Sequence, residues 1–370
     1  MDTELENDDA QVTSQQQPLF SRAPSYASAN TTNTHDFSTT VRIRETTNTE
    51  QPQEINSLYF ATYRPIQNSC TISRRQNHPL QLRMRLHTLL TSAEGEGPKE
   101  FNDMVSRNNK SELCWFVSML TSESDYFFQI VNDRKGSRRV RRLLGKFQET
   151  DEILLNAIVH RFIDVMTGKY SYLVAITASK VLESFVLVSL TLRDALYLAS
   201  DKIGCIALNQ MITKSKDVFR QEFLYEIAEN SDWLSMDDSG TFVVQHVLSL
   251  NDLRCTNRVA LRLCGYYVEL SSQRRGSYIV EQILKSRSMV ALDLVVGELM
   301  ECGGFTLFRL ARHEFGNYVV QKALRVTQSE GRLDLFLGLV KKLKLFPFLD
   351  LLRWSHHGRN IAAIIDSTII

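Results

Sequence analysis

One short segment recurs in altered form through residues 136–370, and it limits the possible folds more than any other feature. Its clearest copy is Phe-Gly-Asn-Tyr-Val-Val-Gln-Lys-Ala-Leu at 315–324. Related copies begin at the following glycines: Gly136, Gly204, Gly240, Gly276 and Gly358. Because a segment repeated every few tens of residues is typical of similar units stacked in a row, the sequence predicts a solenoid.

Each copy predicts the start of a helix. The glycine permits a tight turn, and the next residue is often Ser, Thr or Asn, which we expect to cap the helix. The third, fourth, seventh and eighth residues after the glycine are mostly apolar, which is the spacing of one buried helical face. An apolar residue also lies six places before each glycine, where we expect it to hold the turn against the core: Ile130, Leu198, Leu234, Leu270, Leu310 and Leu352.

One copy is missing from the series of glycines. The residues that follow the glycines are separated by 36, 36, 40 and 42 positions, but Ser137 and Cys205 are 68 apart, which is twice 34. A degenerate copy must therefore lie near residue 171. Its frame is ambiguous by one residue, and we prefer Ser171, Tyr172 and Ala175 as its polar-face positions because this frame buries residues 173 and 174.

Apolar-periodic helices, such as those at 218–228 and 292–299, lie between these segments, so we expect two helices per repeat. The sequence thus predicts an all-α protein in which each repeat buries its face only against its neighbours. The predicted repeats are 112–147, 148–182, 183–217, 218–253, 254–289, 290–328 and 335–370.

The first and fifth residues after each glycine share a helix face, because they are four positions apart. This face is not the apolar one, and the second residue lies beside it. In the best copies the three positions hold Asn317, Tyr318 and Gln321, or Ser277, Tyr278 and Glu281. Two hydrogen-bonding side chains beside a ring can contact the edge of a base while the ring stacks on it. For one copy alone, the alternative is a polar face exposed to solvent. The recurrence of the same arrangement in consecutive copies favours base contact.

The segments at 317–321, 277–281 and 241–245 resemble the RNA-binding repeat of the Pumilio (PUF) family, and the degenerate copies resemble divergent plant-type homologues. The resemblance covers residues 127–370. It implies a right-handed superhelical α-solenoid that reads one base per repeat with two or three side chains. It also implies that the protein is not an enzyme and needs no cofactor.

The resemblance further implies which bases are read. The combination at 317–321 matches the uracil reader of the family and that at 277–281 its guanine reader. Because the family runs antiparallel to its RNA, the two repeats imply 5′-UG. Weaker matches assign base-edge contacts to Thr241, Gln245, Cys205, Asn209 and Ser137, and base stacking to Phe242 and Arg138.

Basic residues cluster around the copy at Gly136. The cluster comprises Arg134, Lys135, Arg138, Arg139, Arg141, Arg142 and Lys146. We expect weak phosphate contacts from Arg134, Lys135 and Arg141, and a solvated helix face is the alternative. At the other end of the series, Arg359, Asn360 and Ala363 offer no fifth-position reader. The resemblance implies that a guanine reader followed by a uracil reader ends the series, so this copy is expected to be a C-terminal cap.

Composition separates two regions. Residues 1–80 are rich in Ser, Thr, Asn and Gln, and we expect a disordered tail because such a segment buries too little apolar surface to fold. Residues 81–370 form the predicted repeat domain, in which 81–110 is either an eroded repeat or an N-terminal cap. The chain has 43 Lys and Arg residues against 42 Asp and Glu. Net charge therefore does not argue for RNA.

Other classes of protein lack support in the sequence. The six cysteines form no Cys-x-x-Cys pair, so neither a zinc site nor a disulfide framework is expected. No apolar run approaches the roughly 18 residues of a membrane span, and the acidic opening at 2–9 argues against a targeting peptide. Gly-rich phosphate loops and nucleophile elbows are also missing.

The resemblance implies a protein that binds single-stranded mRNA in 3′ untranslated regions and controls translation and decay through protein co-regulators. We expect it to be cytoplasmic and monomeric. One rival is a protein-binding α-solenoid that has lost RNA recognition. A second rival is a nuclear protein that acts in ribosomal RNA processing.

Overall fold

The computed structural model describes residues 79–345 and 347–367. In these ranges the chain forms 23 α-helices and no strand, so the predicted all-α class is confirmed. The tail predicted over 1–80 lies outside the described residues except for its last two positions. No helix in the described part is long and apolar enough to cross a membrane.

Two helices, α1 (Pro79–Thr91) and α2 (Glu96–Arg107), precede seven repeats of three helices each. The first helices of repeats 1–7 are α3 (Lys110–Leu120), α6 (Gln148–His160), α9 (Phe185–Arg193), α12 (Asp217–Glu229), α15 (Leu253–Arg262), α18 (Met289–Glu301) and α21 (Leu333–Leu343). The middle helices are α4 (Ser124–Val131), α7 (Phe162–Thr167), α10 (Ala195–Ser200), α13 (Ser231–Leu234), α16 (Tyr267–Ser271), α19 (Gly304–Ala311) and α22 (Phe348–Trp354). The third helices are α5 (Arg134–Arg141), α8 (Tyr172–Val181), α11 (Gly204–Lys214), α14 (Gly240–Ser249), α17 (Arg274–Lys285), α20 (Gly316–Ser329) and α23 (Arg359–Asp366).

The prediction of two helices per repeat is therefore wrong, because each repeat has a short middle helix. The apolar residues that precede the glycines by six positions belong to these middle helices and are buried as expected. At the turn glycines of repeats 4 and 5 the turn is tight enough to exclude a side chain. A Cβ atom at Gly240 would lie 2.6 Å from the carbonyl oxygen of Leu234, and one at Gly276 would lie 2.5 Å from that of Leu270.

The third helices of successive repeats pack against one another from α5 to α23, and we call this series the third-helix row. First helices pack in the same way, for example α12 against α15 and α15 against α18. Helix α1 packs against α5 at the start of the third-helix row, and α2 packs against α1 and α3. Residues 79–107 thus cover the open end of repeat 1 as a two-helix cap, without the three-helix form of a repeat.

The capping residue of the third helices is not the one that sequence reasoning assigned. An aspartate three places before the glycine accepts a hydrogen bond from the glycine N–H in three repeats: Asp133 at 2.8 Å, Asp201 at 2.6 Å and Asp237 at 2.7 Å. The residue after the glycine already lies within the helical hydrogen-bond ladder, since Thr241 N–H donates to Asp237 O. Its side chain is therefore not needed as a cap.

Candidate nucleic-acid interface

Three aromatic side chains form an exposed series along consecutive third helices. They occupy the second position after the turn glycine: Phe242 in repeat 4, Tyr278 in repeat 5 and Tyr318 in repeat 6. Their exposed fractions are 49%, 45% and 56%. Three adjacent repeats thus each expose one aromatic ring at the same position, and each ring is a flat surface on which one base can stack.

The first-position residues are buried in every repeat from 3 to 6. Each donates to a carbonyl of its own turn: Cys205 to Lys202, Thr241 to Asp238, Ser277 to Arg274, and Asn317 to His313 and Glu314. Ser137 instead donates to Tyr170 O of the next repeat, at 2.8 Å. The hydrogen-bond donors of the first-position side chains are thus bonded to carbonyls of the protein, and these side chains chiefly offer acceptors to a ligand.

Asn317 and Gln321 contact each other. The Gln321 Nε2 donates to Asn317 Oδ1 at 2.9 Å, and the two residues are only 3% and 6% exposed. Both amide N–H groups of Asn317 are already bonded to carbonyls, so Asn317 orients Gln321 more than it faces outward. Gln321 retains its Oε1 and one N–H, which is one acceptor beside one donor.

Glu281 is the only acidic group among the fifth-position residues. Its side chain is half-buried, and this burial raises the pKa of the Glu281 carboxyl, while Lys285 and Lys322 oppose the rise. Lys322 belongs to the third helix of the following repeat. The carboxyl is thus a partly desolvated acceptor with two cations near it, which suits a ligand that brings its own hydrogen-bond donors.

Sequence reasoning missed Arg275, which lies directly before the turn glycine of repeat 5. Its guanidinium is 5.0 Å from the ring centroid of Phe242 in repeat 4, and its NH1 donates to Asp238 O at 2.7 Å. The Arg275 carbonyl also accepts from Gln245 Nε2 at 3.3 Å. Its position directly before the glycine of the next repeat is the sequence feature that could have identified it. Arg275 places a planar cation beside the aromatic series.

The structure corrects the frame of repeat 2. Ser171 occupies the place of the turn glycine, because its Oγ donates to the carbonyl of Val165, six residues earlier, at 2.8 Å. The preferred frame of Ser171, Tyr172 and Ala175 is therefore wrong by one residue. Tyr172, Leu173 and Ile176 hold the first, second and fifth positions, so this repeat presents a buried tyrosine, a half-buried leucine and a buried isoleucine.

Repeat 3 is intermediate between repeat 2 and the polar repeats. Burial raises the pKa of the Cys205 thiol to about 11, so this side chain remains a neutral thiol. Ile206 is half-buried and has no ring, and Asn209 at the fifth position has a buried Oδ1 with no hydrogen-bond partner. Repeat 3 thus keeps a polar side chain at its fifth position but has no ring for stacking at its second.

The predicted basic patch is not one exposed surface. Arg139 is buried and donates to Leu89 O at 2.9 Å and Ser92 O at 2.7 Å, which ties α5 to α1. Arg142 donates to Asn102, and Arg141 is buried at the fifth position. The expected phosphate contact of Arg141 requires an exposed side chain, and here this side chain is buried. The remaining exposed cations of the cluster are Arg134, Lys135, Arg138 and Lys146.

Repeat 7 presents Arg359, Asn360 and Ala363 to solvent, beyond the last polar reader, and Ser355 caps its Gly358 N–H at 3.0 Å. In the described part of the chain no group of three or more His, Cys, Asp or Glu side chains could hold a metal ion.

Comparison with known proteins decides the family. The family model for the Pumilio-family RNA binding repeat matches residues 195–228, 266–300 and 307–337. Pumilio homolog 18 of Arabidopsis thaliana is 48% identical over 77% of this chain and 86% of its own length. The chain belongs to the Pumilio family. Putative pumilio homolog 19 of the same plant is also 48% identical over the same shares, so the resemblance to plant Pumilio proteins is confirmed.

Solved Pumilio structures share the fold. The Puf4 RNA binding domain, bound to a recognition sequence from the HO endonuclease RNA 3′ UTR, aligns with a TM-score of 0.65 at 19% identity over 76% of this chain and 88% of that one. The RNA-binding domain of yeast Puf5p bound to SMX2 RNA aligns with a TM-score of 0.61 at 14% identity, over 78% of this chain and 86% of that one. The α-solenoid prediction is thereby confirmed. The protein is a member of a family of non-enzymatic RNA-binding proteins.

Proposed function

We propose that this Pumilio protein binds single-stranded RNA selectively at elements that contain 5′-UG in mRNA 3′ untranslated regions, and thereby regulates translation and mRNA stability. The observation that carries the proposal is the exposed series of Phe242, Tyr278 and Tyr318, with a hydrogen-bonding side chain beside each ring. Solved Puf4 structures of the same fold are bound to 3′ UTR recognition sequences, which supports the choice of target.

The chemistry of the fifth positions supports the two bases. Guanine presents two N–H donors along its Watson–Crick edge, and the half-buried carboxylate of Glu281 provides two acceptors for them. Uracil presents an N–H donor between carbonyl acceptors, which matches the Oε1 and the remaining N–H of Gln321. Antiparallel binding then places U at repeat 6 before G at repeat 5, as the resemblance implies.

Binding to a short RNA that contains 5′-UGU, compared with one that contains 5′-ACA, tests the proposal in a filter-binding assay. We expect the first RNA to bind more tightly by at least about tenfold, since a mismatched base leaves a hydrogen-bonding group of the reader unpaired at a cost of about 1–3 kcal/mol. Equal binding of both RNAs would favour the rival in which the solenoid binds protein and has lost RNA recognition.

Glu281→Gln tests the reader itself. An amide offers one donor and one acceptor, which matches the edge of adenine better than that of guanine, so preference at the second base should shift from G towards A. Glu301→Gln, an exposed position at the end of α18 among the first helices, is the matched control and should leave both affinities unchanged. An equal loss on all RNAs would mean that Glu281 is structural.

The proposal includes a cytoplasmic location, a monomeric state and protein co-regulators that act on the bound mRNA. Imaging of a tagged copy tests the location, and accumulation in the nucleolus would favour a role in ribosomal RNA processing instead. Sedimentation of the purified protein tests the monomeric state, and mass spectrometry of partners that survive RNase treatment tests for co-regulators.

A further inference from the structure

The third-helix row changes character between repeats 4 and 2. Repeats 4, 5 and 6 each combine an exposed ring with hydrogen-bonding first and fifth positions. In repeat 2 the equivalent residues are Tyr172, Leu173 and Ile176, and the Ser171 Oγ bond to Val165 O shows that no other frame applies. The side chains at this point of the row are therefore those of a packed core more than those of a reader.

Each of the three residues opposes base recognition for its own reason. Ile176 is 2% exposed and has no donor or acceptor, so a base edge placed against it would leave its polar groups without partners. Tyr172 is buried and fills the first position, which elsewhere holds a small polar residue. Leu173 is half-buried and has no π face on which a base could stack.

The neighbours of repeat 2 do not compensate for this. On one side Ile206 of repeat 3 is also aliphatic, so the aromatic series ends at Phe242. On the other side repeat 1 again offers a polar first position, Ser137, and an exposed Arg138 at the second position. Aliphatic side chains at the second position thus extend from repeat 2 into repeat 3, and polar side chains resume at repeat 1.

We infer that repeat 2 is a silent position in the RNA interface, so that the bound element contains one nucleotide whose base is not specified. This inference rests on the proposed function. Counting from the U at repeat 6 as nucleotide 1, antiparallel binding places nucleotide 5 at repeat 2. Its sugar and phosphate continue along the row, while its base makes no hydrogen bond to Tyr172 or Ile176 and turns towards solvent.

Abasic RNA separates the backbone of a nucleotide from its base. The full chain is titrated by fluorescence anisotropy with a labelled RNA that contains 5′-UGU at nucleotides 1–3, and with copies that are abasic at nucleotide 2 or at nucleotide 5. We expect about tenfold or greater loss for the abasic site at nucleotide 2 and less than about twofold loss at nucleotide 5. Similar losses at both nucleotides would overturn the inference while leaving the proposed function intact. No loss at either nucleotide would overturn both.

Leu173→Tyr gives an independent test, because residue 173 is half-buried and the change restores the ring found in repeats 5 and 6. The variant should bind the RNA with a base at nucleotide 5 several-fold more tightly than the copy that is abasic there. Leu173→Met is the matched control, since it changes the side chain without adding a ring, and it should show no such difference. A Tyr variant that also fails to distinguish the two RNAs would mean that nucleotide 5 does not pass repeat 2.

Discussion

Gly276→Ala should destabilise the protein although alanine is the better helix former. The added Cβ would lie 2.5 Å from the Leu270 carbonyl oxygen, 2.9 Å from Leu270 Cα and 3.0 Å from Leu270 Cδ2. Two of these three atoms are backbone, so the turn between α16 and α17 must open. Such overpacking costs about 1–3 kcal/mol, while the exchange of glycine for alanine in a helix gains about 0.5–1 kcal/mol.

The net expectation is a decrease of about 1 kcal/mol, and at most about 2.5 kcal/mol, in the free energy of unfolding. Urea denaturation followed by far-UV circular dichroism measures it. Gly297→Ala is the matched control, because Gly297 lies inside α18 and its added Cβ would meet no heavy atom within 4 Å. The control should gain about 0.5–1 kcal/mol. If the two variants shift stability in the same direction, the close approach of Gly276 to Leu270 is not what requires glycine there.

The same variant links the fold to the interface. Opening the turn displaces the start of α17, which carries Ser277, Tyr278 and Glu281, so Gly276→Ala should also weaken binding to the 5′-UGU RNA. Gly297→Ala should not. Tight binding by a clearly destabilised Gly276→Ala protein would contradict the idea that this turn positions the reader.

Further predictions follow from single contacts. Because burial raises the pKa of Glu281, this carboxyl should be protonated at a higher pH than an ordinary glutamate, and affinity for guanine-containing RNA should fall as it is protonated. Glu281→Gln should abolish this pH dependence of affinity. A variant whose affinity still falls over the same pH range would contradict the prediction. The stability of the protein depends on pH in the opposite sense. Folding disfavours the charged form of Glu281, so its contribution to stability falls as the pH rises through its raised pKa. Glu281→Gln should therefore be no less stable than the unmodified protein at neutral pH. Asp237→Ala should cost about 1 kcal/mol by urea denaturation, whereas Asp237→Asn keeps an acceptor and should cost little; equal losses would refute a capping role. Arg139→Met removes two bonds to the carbonyls of Leu89 and Ser92, should cost about 1.5–3 kcal/mol, and should speed amide hydrogen exchange in α1, whereas unchanged exchange would show that the cap is held by other contacts.

Much of the interface was predictable because its positions are tied to the glycine by helical geometry. Once Gly240, Gly276 and Gly316 are aligned, the exposed rings follow from a count of two residues, and the structure leaves each ring in solvent. The assignment failed where the glycine is missing. Ser171 can hold the same turn through its own hydroxyl, and apolar residues on both sides of it made two frames look alike.

The contacts between repeats were not predictable, because they join residues about 30–40 positions apart. Arg275 lies over Phe242, and Lys322 acts on the carboxyl of Glu281, although each pair belongs to different repeats. Likewise, nothing in the run of arginines from 134 to 142 distinguishes Arg139, which ties α5 to α1, from the exposed Arg138. The neighbouring helix determines which of these arginines is buried and which group it bonds.

The sequence alone determined the helical class, the number of repeats, the Pumilio family and the residues that carry the rings, because these depend on periodicity within one helix and on its distance from a glycine. Only the tertiary structure decided the middle helices, the frame of repeat 2 and which polar side chains are already bonded within the protein. These depend on how closely two backbones approach, and a buried contact of that kind leaves no periodic pattern in the chain.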